Sequence, residues 1–356
     1  MGYQVAVVGA TGNVGREILN ILAERNFPID EMTALASSRS RGLEVSFGER
    51  AALKVRALED FHFKGIDIAF FAAGSKVSAQ YAPKAAQAGA IVIDKTSYFR
   101  LDADVPLVVP EVNPEALENC GRKNIISSPN CVVVPLVVAL KPLDQVAKIK
   151  RVVASTYQSV SGAGRPHMDE LYNQTRGTFV NDRVEAQLFP KPIAFNVIPH
   201  IDDFRSNGMT GEEEKIALET QKILGSSVAV FATCVRVPVF IGHSISVAVE
   251  FEEKITVAQA RAALEKSPSV EVFDRHREGG YATPVECSGE DRVYVSRIRQ
   301  DTTVPHGLGL WVVTDNLRKG AALNGVQIAE RWVALASGKH ANSRHLQKSK
   351  KIKKSD

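Results

Sequence analysis

The sequence predicts an α/β fold of two domains, a parallel-sheet domain followed by an α+β domain. Its 356 residues exceed what one ordinary hydrophobic core contains. Over the first 130 residues, short apolar runs alternate with helical segments, which is typical of a parallel sheet covered by helices on both faces. At 245–251, apolar residues alternate with polar or small ones, which predicts a half-exposed strand in a mixed or antiparallel sheet.

The elements of the first domain follow from these patterns in chain order. The apolar run at 3–8 predicts a strand, and Val14, Ile18 and Leu22 then recur at helical spacing. The segment at 78–88 has a helical composition. We therefore predict helices at 13–25 and 78–88, and strands at 3–8, 33–36, 66–71, 91–93, 106–109 and 124–127.

The second half of the chain begins with a helical apolar run at 132–143. Thr256 is a suitable N-cap for a helix at 256–266, because its hydroxyl can accept from a free backbone N–H. A last helix at 323–336 has apolar positions that we expect to pack back on the first domain. Further strands are predicted at 152–157, 245–251, 293–298 and 308–314.

Composition excludes several classes of protein. No apolar run approaches the roughly 20 residues of a membrane span, and no signal peptide precedes the first strand. The four cysteines have no C-x-x-C spacing, so we predict no metal site, no disulfide scaffold and a cytoplasmic location.

The net charge of +4 comes from the end of the chain. From Lys339 onward the charge is +6, which leaves −2 for the rest of the sequence. Binding to nucleic acid or to a membrane surface would depend on this tail alone. A disordered, solvated extension is the simpler interpretation, so we expect neither partner.

Cys131 lies where a nucleophile would be built. It follows Ser128, Pro129 and Asn130 at a predicted strand-to-helix junction. The partial positive charge of a helix N-terminus lowers a thiol pKa, so we expect Cys131 to favour the thiolate. Together with a nucleotide-binding loop, an activated cysteine indicates a dehydrogenase that works through a thioester.

The glycine-rich turn after the first strand predicts that nucleotide-binding loop. Gly9, Gly12 and Gly15 are spaced G-x-x-G-x-x-G between a predicted strand and a predicted helix. Backbone N–H groups at such a helix start can bind a pyrophosphate, as in Rossmann-like domains. The alternative is an ordinary tight turn between a strand and a helix.

The end of the second predicted strand indicates which dinucleotide binds. NAD sites usually place an acidic residue there to hold the ribose 2′-hydroxyl. Residues 36–42 contain no acid but include Ser38, Arg39 and Arg41, which suit the 2′-phosphate of NADP. The alternative is a solvated polar loop.

Two further segments contain candidate functional residues. The glycine-rich stretch at 158–164 opens with Gln158, and its small residues would allow close approach of a ligand. Arg236 and His243 lie in a second segment. Each signal is weak by itself, since a glycine-rich turn is common and a lone histidine is more often structural than catalytic.

Taken together, these segments resemble the aspartate-β-semialdehyde dehydrogenase family over nearly the whole chain. Many ordered matches carry the resemblance: residues 9–15, 38–39, 97–100, 129–131, 158–164, 212–215, 236–244 and 315–322. After the nucleophile, this family often has Ser or Thr, then apolar residues and Gln. This chain instead has Val132, Val133, Val134 and Pro135, which removes a hydroxyl and an amide.

The resemblance implies a role for each matching position. Cys131 would accept the acyl group, Gln158 would orient it, and His243 would be the general acid/base. The implied substrate residues are Arg100, Asn130 and Lys215 for the acyl phosphate, and Glu212 and Arg236 for the α-ammonium and α-carboxylate. The implied NADP-binding residues are Gly9, Thr11, Gly12, Asn13, Val14, Ser38, Arg39, Ser161, Gly162 and Asn316.

The implied reaction is reversible, NADPH-dependent reduction of aspartyl-β-phosphate to aspartate-β-semialdehyde and phosphate. It belongs to lysine, threonine, methionine and diaminopimelate biosynthesis. We expect an NADP-binding domain at 1–130 with 320–340 packing back on it, a catalytic and dimerisation domain at 131–319, and a basic, disordered tail at 341–356. A homodimer or a dimer of dimers is expected. The alternatives are N-acetyl-γ-glutamyl-phosphate reductase and a non-catalytic NADP-binding paralogue.

Overall fold

The computed structural model describes residues 2–182, 185–225 and 228–336. The predicted tail at 341–356 lies outside the described residues. The first domain is built on a six-stranded sheet whose strands are all parallel and lie in the order β5-β2-β1-β6-β7-β8. These strands are β1 Tyr3–Val8, β2 Ile29–Ala36, β5 Arg56–Ala57, β6 Ile68–Phe71, β7 Ile91–Asp94 and β8 Ile125–Ser127. A separate hairpin pairs β3 Glu44–Phe47 with β4 Ala51–Lys54.

The strand order of this sheet places its ligand crevice. Counted along the sheet's own strands, the order is 3-2-1-4-5-6, so the winding reverses between β1 and β6. In open parallel sheets, ligands bind outside the carboxyl ends of the strands at such a switch point. Helix α1 Asn13–Glu24 follows β1, and helix α2 Ser75–Gln87 follows β6, so one helix begins on each side of the crevice.

The second domain is built on a six-stranded mixed sheet in the order β10-β9-β11-β14-β13-β12. Its central strands are antiparallel and its two outer pairs are parallel. The strands are β9 Ile149–Gln158, β10 Ala229–Arg236, β11 His243–Phe251, β12 Val270–Val272, β13 Val293–Asp301 and β14 Gly307–Thr314.

One face of this sheet is covered by helices and contains the largest hydrophobic cluster. Val152, Val247 and Leu310 point into that cluster together with the apolar residues of α3. The helices of this half are α3 Val133–Asp144, α4 Arg165–Phe179, α5 Gly211–Leu224, α6 Val257–Glu265 and α7 Pro284–Cys287. No helix in the described part of the chain is long and apolar enough to cross a membrane.

The last helix, α8 at 323–336, returns to the first domain. Leu323, Val326 and Ala329 belong to the same buried cluster as Val5 and Ile18, on β1 and α1. A π-type turn, Arg318–Ala322, leads from β14 into α8. The predicted fold class, including the returning helix, is confirmed.

Several elements differ from prediction. The strand expected at 106–109 is wrong, because only Leu107 forms a bridge, with Ser127, and Pro106 has no N–H to extend the ladder. Thr256 does cap α6, through a capping box with Gln259. The sequence patterns did not reveal the short strands β3, β4, β5 and β12, the edge strand β10, or the helices α4, α5 and α7.

Candidate active site

A cavity of about 460 Å³ lies where the carboxyl ends of β6 and β7 face the loop before α3 and the second sheet. It brings together most of the predicted site residues. Those that line it are Val14, Arg100, Asn130, Cys131, Gln158, Ser161, Gly162, Glu212, Lys215, Arg236 and Asn316. His243 is buried behind this wall and reaches the cavity through Cys131.

Cys131 and His243 form a close pair, with 3.4 Å between Sγ and Nε2. Burial, and then the carboxylate of Glu212, raise the pKa of the Cys131 thiol to about 11. Burial, and then the positive charge of Arg236, lower the pKa of His243 to about 3. In the free protein the pair is therefore a neutral thiol and a neutral imidazole.

The expectation that Cys131 has a lowered thiol pKa is wrong. Helix α3 begins at Val133 with Val132 as its N-cap, so Cys131 precedes the helix and is not in its first turn. The Asn130 side chain accepts a hydrogen bond from the Val132 N–H at 2.8 Å, which satisfies one free donor of the helix start. Desolvation of the thiol outweighs the opposing effect of the nearby cations Lys95, Arg100 and Arg236 on its pKa.

Ser159 fixes the orientation of the His243 ring. Its backbone N–H donates to Nδ1 at 3.0 Å, so Nδ1 is an acceptor and the hydrogen of the neutral ring is on Nε2, facing sulfur. The Ser159 hydroxyl also lies 3.1 Å from Nδ1 and donates to Asn316 Oδ1 at 3.1 Å. Asn316, at the end of β14, accepts a further bond from the Gly242 N–H, so it stabilises this network from behind.

Glu212 organises the polar wall opposite His243. It is the second residue of α5, whose start is fixed by a capping box between Thr210 and Glu213. Its Oε1 accepts from Asn130 Nδ2 at 2.9 Å and from Gln158 Nε2 at 3.1 Å. The three side chains thus form one connected group, with the negative charge of Glu212 at its centre.

Arg236 is a buried cation with open hydrogen-bonding capacity. The residue is 7% exposed, and burial lowers its pKa. Within the described ranges, its guanidinium makes one hydrogen bond, from Nη1 to the Ser159 carbonyl oxygen, at 2.7 Å. A Cβ added to Gly162 would lie 3.4 Å from Nη1, so the absent side chain leaves room beside the guanidinium. An anionic group could bind there.

Arg100 and Lys215 are two further cations of the cavity wall. Arg100 Nη1 pairs with Glu219 Oε1 at 3.0 Å, and Glu219 Oε2 accepts from the Asn130 N–H at 2.7 Å. Lys215 contacts Asp202 at 2.5 Å. The sequence interpretation missed Glu219. Its spacing of seven residues from Glu212, on the same face of α5, could have identified it.

The glycine loop has the shape that a pyrophosphate requires. Gly9 has φ +88°, and a Cβ on Gly15 would lie 2.1 Å from the Gly9 carbonyl oxygen, so only glycine fits there. Helix α1 has no side-chain cap, which leaves its first N–H groups free for a ligand. Thr11, Gly12 and Asn13 form the end of this loop and the helix start.

Ser38 and Arg39 lie away from the cavity, in a short exposed turn after β2. The Ser38 N–H donates to Glu59 Oε1 at 3.3 Å. An acid is therefore present at the predicted ribose end, although it comes from the segment after the neighbouring strand β5. The sequence signal for the ribose end covers only the residues after β2, so it does not include Glu59.

Valines occupy the positions after the nucleophile. Val132, Val133 and Val134 are fully buried in the core of the second domain. They supply packing and no polar group beside Cys131. No group of three or more metal-binding side chains is found among the described residues.

Comparison with known proteins identifies the family. The family model described as "Semialdehyde dehydrogenase, NAD binding domain" matches residues 4–120, and "Semialdehyde dehydrogenase, dimerisation domain" matches 140–319. The aspartate-semialdehyde dehydrogenase of Rickettsia conorii is 55% identical over 93% of this chain and 98% of its own length. The Aquifex aeolicus relative is 51% identical, over 94% and 98%.

The chain belongs to the aspartate-semialdehyde dehydrogenase family. The crystal structure of aspartate semialdehyde dehydrogenase II from Vibrio cholerae has the same fold, with a TM-score of 0.91 at 46% identity over 94% of this chain and 99% of that one. The predicted resemblance is confirmed. The family assignment rests on both domains, so the cavity between them is the family's candidate active site.

Proposed function

We propose that this chain catalyses the NADPH-dependent, reversible reduction of aspartyl-β-phosphate to aspartate-β-semialdehyde and phosphate, in lysine, threonine, methionine and diaminopimelate biosynthesis. The observation that carries the proposal is the 3.4 Å contact of Cys131 with His243 in a cavity that also presents Glu212 and Arg236. A Vibrio cholerae relative with a TM-score of 0.91 was crystallised in complex with ASA. The relatives' shared name disfavours N-acetyl-γ-glutamyl-phosphate reductase as the activity. The substrate of that enzyme has an acylated nitrogen, which would give Glu212 no cation to bind.

The cavity supports a distinct role for each charged residue. Arg236 would bind the substrate α-carboxylate with two parallel N–H donors, and Glu212 would accept from the α-ammonium. Arg100 and Lys215, with the Asn130 amide, would hold the acyl phosphate. Two cations at the leaving group stabilise the negative charge that develops as the phosphate departs.

The chemistry at Cys131 requires a thiolate. On substrate binding, the neutral His243 ring can take the tautomer with its hydrogen on Nδ1, donated to the Ser159 hydroxyl. Nε2 then accepts the proton of the Cys131 thiol, which gives an imidazolium–thiolate pair. The thiolate attacks the acyl carbon, and phosphate leaves with the electron pair of the C–O bond, which forms a thioester. The Gln158 amide can donate to the acyl oxygen.

The reduced nicotinamide, when bound, supplies a hydride to the thioester carbon. The protein's part in this step is to expel sulfur: the oxygen electron pair re-forms the carbonyl, the C–S bond breaks, and His243 returns its proton to the departing thiolate. NADP fits the glycine loop and the uncapped start of α1. A Candida albicans relative, 26% identical with a TM-score of 0.69, was crystallised with NADP.

We also propose a homodimer formed by the uncovered face of the second sheet. Tyr157, Phe231 and Trp311 present aromatic rings on this face, and Tyr157 and Phe231 are 39% and 55% exposed. An apolar face of this kind marks a protein interface. The proposal also includes an NADP-binding domain at 1–130, with 320–340 packing back on it, and a catalytic and dimerisation domain at 131–319. We propose a cytoplasmic location.

The proposed reaction is tested by following phosphate-dependent reduction of NADP in the presence of aspartate semialdehyde. The wild type should turn over, and Cys131→Ser should lose about a thousandfold or more in kcat with unchanged NADP binding. N-acetyl-glutamate semialdehyde should be a poor substrate. Full activity in Cys131→Ser, or a preference for the acetylated aldehyde, would contradict the proposal.

A further inference from the structure

Lys95 is a buried cation beside the candidate nucleophile that the mechanism above does not use. It follows the last residue of β7, is 9% exposed and lines the same cavity as Cys131. Its Nζ donates to Ser128 Oγ at 2.9 Å, to the Pro129 carbonyl at 3.1 Å and to the Gly320 carbonyl at 3.5 Å. None of these acceptors is charged, so Lys95 has no carboxylate in direct contact among the described residues. A buried cation without such a partner is costly, which points to a function.

The three acceptors lie on two sides of Cys131. Ser128 and Pro129 belong to the loop that leads from β8 to the thiol. Gly320 packs from the other side: a Cβ there would lie 2.8 Å from the Cys131 carbonyl oxygen and 3.4 Å from Cys131 Cβ. One ammonium group therefore joins the two segments that enclose the nucleophile.

We propose that Lys95 is a positioning residue for Cys131, whose ammonium group fixes the loop that carries the thiol and whose positive charge favours the thiolate. The proposal rests on the proposed function of Cys131 as nucleophile. It is distinct from the roles of Arg100 and Lys215, since Lys95 directs its hydrogen bonds to the protein and not to the space that the substrate would fill.

The charges around Lys95 agree with this role. Burial, and then the neighbouring guanidinium of Arg100, lower the pKa of Lys95 to about 7. Cys131, Glu219 and Asp94 act in the opposite direction and favour the charged lysine. Conversely, the charge of Lys95 opposes the rise in the Cys131 pKa that burial and Glu212 cause. Each group thus favours the ionised form of the other.

The test compares Lys95→Met with wild type in the full-length protein without substrate. The second-order rate constant for alkylation of Cys131 by iodoacetamide is measured from pH 6 to 10, and peptide mapping confirms that Cys131 is the labelled residue. Loss of the Lys95 charge should raise the thiol pKa by about one unit, which slows alkylation about tenfold near pH 6. The difference from wild type should shrink above about pH 8, because the lowered pKa of Lys95, about 7, leaves the wild-type lysine neutral there. kcat should fall by a similar factor, and KM for phosphate should stay within about twofold.

Lys222→Met is the matched control. Like Lys95, Lys222 donates from Nζ to three uncharged acceptors, here the backbone carbonyls of Arg100, Asp102 and Val105, at 2.8, 2.7 and 2.9 Å. Its loss should lower the melting temperature but leave alkylation of Cys131 within about twofold of wild type. If the alkylation rate of Cys131 also falls tenfold in this control, the effect of Lys95→Met reflects a general loss of packing, and the proposal is overturned.

The remaining outcomes also decide whether Lys95 positions Cys131. Unchanged alkylation in a folded Lys95→Met variant overturns the proposal, as does a raised KM for phosphate alone, which would make Lys95 a substrate ligand. Lys95→Gln, which keeps two donors but no charge, should fold normally and still slow alkylation; if neither variant folds, Lys95 is only structural and the proposal fails. Full activity of Cys131→Ser would refute the proposed function without changing these alkylation rates.

Discussion

Replacing Arg236 by lysine tests the proposed substrate site while keeping the positive charge. Arg236 is 7% exposed, and its guanidinium donates one N–H to the Ser159 carbonyl, at 2.7 Å. Its other donors face the cavity, where they can bind both oxygens of a carboxylate in parallel. A lysine ammonium offers the carboxylate one strong contact and cannot also reach Ser159 with the same planar geometry.

The expected loss follows from the contacts removed. One charge-assisted hydrogen bond to the substrate contributes about 1.5–3 kcal/mol, and an unpaired buried Ser159 carbonyl adds a cost of about 1 kcal/mol. The transition state should therefore be destabilised by about 2–4 kcal/mol. At about 1.4 kcal/mol per factor of ten, kcat/KM for aspartate semialdehyde should fall between about 30-fold and 1,000-fold.

The assay is initial-rate reduction of NADP at saturating phosphate and cofactor, with aspartate semialdehyde varied. Arg205→Lys is the matched control, because Arg205 pairs with Glu214 at 2.9 Å on the surface, with both side chains 43% exposed. Such an exposed pair contributes less than about 1 kcal/mol. If Arg236→Lys retains nearly wild-type efficiency, or loses no more than Arg205→Lys, then Arg236 does not bind the carboxylate.

Three further predictions concern other parts of the site. Because the Cys131 pKa is about 11, iodoacetamide alkylation with loss of activity should speed up about tenfold per pH unit from 7 to 10; a plateau below pH 8 would contradict the raised thiol pKa. Glu212→Gln should reduce kcat/KM about 10- to 100-fold for aspartate semialdehyde but less for succinic semialdehyde, and equal losses would remove Glu212 from the ammonium site. Arg39→Ala should raise KM for NADP about tenfold and leave KM for NAD nearly constant, whereas Glu59→Gln should lower KM for NADP. If Arg39→Ala weakens the binding of both cofactors equally, Arg39 does not contact the 2′-phosphate.

The sequence was sufficient to predict the fold wherever local pattern and tertiary structure agree. Alternation of strands with helices predicted the parallel sheet, and the apolar stripe at 323–336 predicted a helix that packs back on it. Helix α5 was missed because its core-facing side carries Glu212 and Glu219. Those carboxylates are buried for the site, so the helix has no clean apolar stripe, and hydrophobic periodicity could not reveal it.

Within the site, the sequence indicated residue types but not their electrostatics. The predicted junction between a strand and a helix correctly located Cys131. The sign of its pKa shift, however, depends on desolvation, which only the folded structure reveals. Glu59 was missed for a related reason, since sheet order alone brings the end of β5 beside the end of β2. Spacing along the chain contains neither kind of information.

The same two residues that would recognise the substrate also keep Cys131 and His243 neutral while the site is free. After burial, the carboxylate of Glu212 is the main cause that raises the pKa of Cys131, and the charge of Arg236 is the main other cause that lowers the pKa of His243. A substrate ammonium on Glu212 would neutralise the first effect, and a substrate carboxylate on Arg236 would neutralise the second. Arg236 also lowers the pKa of Cys131, but by less than Glu212 raises it. Neutralising both residues would therefore still move the two pKa values toward each other, which favours the imidazolium–thiolate pair. Glu212→Gln should accordingly speed alkylation of the free thiol even while it slows turnover. The reason is that the charge of Glu212 both binds the substrate ammonium and raises the pKa of Cys131.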